Sequence, residues 1–132
     1  MNFNIGDLIR DTLREQGCDE TLINDFDGHS TISLDFSTIP SILISEVDDS
    51  IFMWTRLAEH RPNILQQCSA SILEMLMEPT AYSITGNFHL CEDDGFTVLK
   101  MVVKPSLMNT TDLSDTLEEF YRKTESFMEV LR

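Results

Sequence analysis

Asp25, Asp27, His29 and Ser30 crowd into one short stretch, and they are the residues here best suited to chemistry. A histidine beside carboxylates can act as a general base, and an adjacent serine as its nucleophile. An orphan hydrolase centred on His29, Ser30 and Asp27 is therefore one reading. Against it, triads are assembled in space rather than along the chain, and Asp, His and Ser in a turn bond to local backbone. Asp25-Phe26-Asp27-Gly28 also matches part of a calcium loop. Aligned on the glycine, that loop requires Asp at position 23 and Glu at position 34, where this chain has Ile23 and Leu34. His89 and Cys91, two apart, would share a strand face, but two ligands without a second pair do not make a zinc site. There is no GxxxxGK[ST] or GxGxxG loop. The basic residues are scattered, with no basic–aromatic platform for nucleic acid. The sequence assigns no catalytic residue, metal or cofactor, and binding is the default.

The elements that position these residues follow from periodicity. Ile5, Leu8, Ile9, Thr12 and Leu13 share one face of a helix over 4–16, and Gly17 is placed to end it. Leu22, Ile23 and Phe26 tuck the following polar linker onto the core. Three strand-like runs come next: 31–36, 41–47 and 51–57. Pro40 separates the first two, and Asp48-Asp49-Ser50 turns between the second and third. A helix over 63–78 ends before Pro79. Two more strands cover 81–91, broken near Gly86, and 96–104, with a hairpin turn at Glu92-Asp93-Asp94-Gly95. A last helix spans about 112–131. Its single stripe is Leu113, Leu117, Phe120, Tyr121, Thr124, Phe127, Met128 and Leu131. The order is helix, three strands, helix, two strands, helix. The expected class is α+β, a twisted antiparallel sheet with helices packed against it, and 132 residues without a linker or repeat fit one domain.

The middle helix is apolar on two sides. With Ile64 at zero and about 100° per residue, Met75, Cys68, Ile72, Leu65 and Leu76 form one stripe. Ala70, Leu73 and Met77 form a second, near about 180° to 240°. A surface helix ordinarily buries one stripe. The second stripe is expected to meet another copy of the chain, making Ala70, Leu73 and Met77 a dimer interface.

The chain carries 23 acidic against 9 basic residues, a formal −14. Such a surface repels nucleic acid and anionic membranes. No apolar run approaches the roughly 20 residues needed to span a bilayer, and the first residues lack the pattern of a signal peptide. Three cysteines, Cys18, Cys68 and Cys91, without a CxxC pair favour reduced thiols. A cytoplasmic location is expected. A sheet with helices on one side exposes its other side, and apolar residues there need a cover. Leu34, Phe36, Ile42, Ile44, Phe52 and Trp54 are the candidates, and Trp54, the sole tryptophan, suits an interface anchor.

The stretch GCDETLINDFDGHSTISLDFSTIPSILIS, 17–45, resembles bacterial type III secretion chaperones, closest to the multi-effector class IB kind, the invasion protein B-like family. Gly17, Cys18, Leu22, Ile23, Asp27, His29, Ser30, Ile32, Leu34 and Pro40 carry it. It continues through Trp54 and LQQCSASILEMLME (65–78) to Phe120 and Tyr121, and is weakest over 79–112. The resemblance implies a small acidic cytoplasmic homodimer, not an enzyme. It would bind the N-terminal region of secreted effector proteins in extended form and deliver them to the secretion ATPase. A clientless dimerisation module is the remaining alternative.

Overall fold

The computed structural model describes residues 5–15, 17, 23–25 and 31–132. Its elements are α1 (Ile5–Glu15), β1 (Ile23–Asp25), β2 (Thr31–Leu34), β3 (Ile42–Val47), β4 (Ser50–Glu59), α2 (Pro62–Gln67), α3 (Ser69–Met77), β5 (His89–Asp93), β6 (Phe96–Val103), a 3-10 turn (Pro105–Leu107) and α4 (Thr110–Val130). The class is α+β. The strands form one sheet in the order β1-β2-β3-β4-β6-β5, with every neighbouring pair antiparallel. Asp27, His29 and Ser30, like Cys18, Leu22 and Phe26, lie outside the described residues.

Helices cover one face of the sheet. Leu34, Ile42, Ile44, Ile51, Met53, Leu99, Met101 and Val103 project from it and are almost fully buried. Ile9 and Leu13 of α1 and Leu113, Leu117, Phe120 and Phe127 of α4 complete the same cluster. Buried threonines are satisfied within their own helices: the hydroxyls of Thr12, Thr116 and Thr124 donate to the carbonyls of Leu8, Asp112 and Phe120. That back-bonding removes the cost of an unmade hydrogen bond. Gly17 closes α1 with φ 77°, and its N–H donates to the Arg14 carbonyl at 3.1 Å.

Both hairpins turn on two residues. Asp48 and Asp49 take φ 50° and 64°, and Asp94 and Gly95 take 53° and 82°. Positive φ at both centres matches the right-handed twist of the flanking strands. The expected turns are therefore present but tighter, since Ser50 opens β4 and Asp93 closes β5.

Several expectations are corrected. Ile23–Asp25, within the expected linker, form strand β1. β2 stops at Leu34, where Asp35 accepts hydrogen bonds from Ser33 and Ser41 instead of continuing the ladder. The helix over 63–78 is two helices meeting at Cys68, whose φ of −113° leaves helical geometry. There Cys68 Sγ donates to the Ile64 carbonyl at 3.1 Å and Ser69 Oγ to the Gln66 carbonyl at 3.1 Å, so side chains compete with the backbone for those carbonyls. The strand over 81–91 reduces to a bridge between Ser83 and Val103, a break at Gly86 (φ 83°), and β5.

At the start of α4, Asn109 Oδ1 accepts from the Asp112 N–H at 2.9 Å, and Asn109 Nδ2 donates to Asp112 Oδ2 at 2.7 Å. Asn109→Ala is expected to cost about 1 kcal/mol, read as a lower urea midpoint at unchanged slope. An unchanged midpoint would mean that the cap is idle.

Candidate functional site

The site grows from the sheet register. Ile44 pairs with Met53 and Ile42 with Thr55, placing them on the helix-covered side; Leu43 therefore shares the other face with Trp54. Across that open face one row runs Leu43, Trp54, Lys100, His89. A second holds Ser45, Phe52 and Val102, and a third Arg56, Val98 and Cys91. An open groove of about 520 Å³ crosses these rows, lined by Phe52, Trp54, Val98, Cys91, Lys100 and their neighbours.

Aromatic rings and cations alternate across this face of the sheet. The Arg56 guanidinium lies 5.3 Å from the Trp54 ring and 5.5 Å from the Phe96 ring, and Lys100 Nζ lies 5.0 Å from the Phe52 ring. Each stack favours a cation on the ring's negative face. Trp54 Nε1 donates to Ser45 Oγ at 2.9 Å, and Ser45 Oγ meets Thr31 Oγ1 at 2.8 Å. These bonds fix the indole while its body stays only half-buried. Pairing β4 with β6 brings these two cations and three rings onto one face.

The structure divides the six residues expected on this face. Phe52 and Trp54 lie on it. Leu34, Ile42 and Ile44 do not: all three are core residues with at most 1% exposure. Phe36 falls beyond the end of β2 and packs edge-on against Tyr121 of α4, centroids 5.1 Å apart. The reason is that β3 is apolar on both faces, so its sequence does not say which side the helices take. Arg56, two residues from Trp54, was the available signal for the solvent side. Lys100, Val98 and Cys91 were missed because only pairing brings β6 beside β4 and β5 beyond β6.

The second stripe of the middle helix keeps its place despite the break. Ala70 is exposed, and Leu73 and Met77 are 60% and 70% exposed in the single chain. Ile72 is buried, and Leu65, Cys68, Met75 and Leu76 pack partly against the core. Ile84, 53% exposed, was not anticipated. Its loop is held near the end of α3, where Asn87 Nδ2 donates to the Leu76 carbonyl at 3.2 Å. His89 Nε2 bonds Thr85 Oγ1 at 2.8 Å. Among the described residues no helix is long and apolar enough to cross a membrane.

Comparison with known proteins decides the family. Its model, that of the invasion protein B family, matches residues 17–94. The chain belongs to the invasion protein B family. This family member is 36% identical to the surface presentation of antigens protein SpaK of Salmonella typhimurium over 127 residues, 96% of this chain and 94% of that one. The same figures hold for SpaK of Salmonella typhi. Among solved structures, the family member shares its fold with a chain of the HopA1–SchA chaperone–effector complex, at TM-score 0.64 and 15% identity over 93% and 91% of the two chains. It shares it also with a chain of the heterodimeric ExoU–SpcU complex from the type III secretion system of Pseudomonas aeruginosa, at TM-score 0.57 and 17% identity over 93% of each.

Proposed function

We propose that this chain is a cytoplasmic type III secretion chaperone. It works as a homodimer, binds the N-terminal region of secreted effectors in extended form and hands them to the secretion ATPase, without catalysis or cofactor. The open sheet face carries this reading: a half-buried tryptophan and phenylalanine line a groove that no described element covers. Family membership supports the chaperone role, and the fold is one found in a chaperone–effector complex. β5 lies at the sheet edge with its outer side unpaired among the described residues. An extended segment can add there through backbone hydrogen bonds that ignore sequence, while apolar side chains enter the groove. That combination suits several clients. The client loses chain entropy on ordering, so a rigid preformed sheet favours affinity. The dimer forms through Ala70, Leu73 and Met77, whose exposure is the supporting observation.

Co-expression with an effector's N-terminal segment, followed by affinity purification, tests the function. The segment is expected to copurify and to slow hydrogen exchange in β4, β5 and β6. Trp54→Ala is expected to weaken binding about 30-fold, since a central tryptophan anchor contributes about 2 kcal/mol or more. Calorimetry gives the affinity, and an unchanged melting temperature shows that the fold survives. A Kd within twofold of wild type would remove Trp54 from the site.

A further inference from the structure

Lys100 stands at the centre of the open face. It faces Trp54 on one side and His89 on the other. Its ammonium rests over the Phe52 ring, and the side chain is half-buried in the groove. Arg10, Arg14, Arg61, Arg122 and Lys123 each pair with a carboxylate. Lys100 pairs with none of the described carboxylates, in a chain with 23 acidic residues. Glu92 and Asp93 line the same groove, but they lie three and four residues along β5 from the His89 row, about 10 Å and about 13 Å at strand rise. Arg56, the other cation on this face, is held between two rings.

A ring face attracts an ammonium but does not neutralise it, and covering a charged group without a partner is costly. Anything that fills this groove takes water from Lys100. An occupant that offers a carboxylate there replaces the lost solvation with a charge-assisted hydrogen bond. One that offers only apolar groups leaves an uncompensated charge beneath it. The chain's net −14 opposes a polyanion, whereas a single acidic side chain in an otherwise apolar or basic segment needs only this local partner.

We propose that Lys100 is a specificity residue for clients: the segment that crosses the open face places an Asp or Glu over Lys100, flanked by apolar side chains on Phe52 and Trp54. This rests on the chaperone reading above and adds the chemistry of the bound segment to it.

A phage-displayed library of random short peptides, panned on the full wild-type chain and on Lys100→Met and Lys100→Glu, separates the two claims. Methionine keeps the stem over Phe52 and removes only the charge. Wild type is expected to enrich peptides with an acidic residue between apolar ones. In a selected peptide, Glu→Gln is expected to weaken binding to wild type about tenfold and to leave binding to Lys100→Met unchanged. Lys100→Glu is expected to prefer the same peptide with Lys at that position. Binders that lack acidic enrichment, or that lose equally to Glu→Gln on wild type and on Lys100→Met, overturn the role of Lys100 and leave the chaperone reading standing. If the wild-type chain enriches no peptide at all, the chaperone reading fails and takes this inference with it.

Discussion

The wild-type chain is expected to sediment as a dimer and Leu73→Glu as a monomer. Leu73 projects from α3 and is 60% exposed in the isolated chain. The substitution therefore costs the single protomer little, and far-ultraviolet circular dichroism should not change. In a twofold dimer every interface residue appears twice, because the same patch meets itself. One substitution thus buries two carboxylates without partners, at several kcal/mol each. Few interfaces made by one helix stripe from each copy survive such a loss. Met77→Glu, one helical turn on and 70% exposed, should behave alike. A Leu73→Glu dimer as tight as wild type would put the interface elsewhere, and a monomeric wild type would remove the dimer altogether.

Phe120→Ala is expected to be the most damaging core change. The ring is fully buried between α4 and the sheet and lies 5.9 Å from the Phe88 ring. Removing it subtracts the transfer free energy of the ring and leaves a cavity that close-packed neighbours cannot fill. The expected loss is about 3–5 kcal/mol, against a total stability of about 5–15 kcal/mol for a domain. Urea unfolding at fixed protein concentration reads it as a fall in midpoint with the slope kept. A loss below about 1 kcal/mol, the level of an ordinary surface change, would contradict the packing of α4 on the sheet.

The two substitutions differ in how legible their sites were. Phe120 sits in the one apolar stripe of a long helix, and a single stripe has only one place to go. Leu73 sits in a second stripe, and a second stripe announces a need for cover without naming what meets it. Phe52 and Trp54 were recognised as partners on one face because alternation along a strand is strict. Ile42 and Ile44 were misplaced because β3 is greasy on both sides, and a slip of one residue exchanges its faces. Lys100 was not singled out, since nothing near it in the chain marks it.

The sequence alone determined the class, most of the element order, that the chain turns within Asp48-Asp49-Ser50 and within Glu92-Asp93-Asp94-Gly95, and the doubled apolar character of the middle helix. All of these depend on residues within a turn or two of one another. Only the tertiary structure decided which side of β3 the helices cover, that β5 lies beyond β6 at the sheet edge, and that Lys100, Phe52 and Trp54 share one groove. Those outcomes depend on pairing between strands far apart in the chain, which local periodicity does not encode.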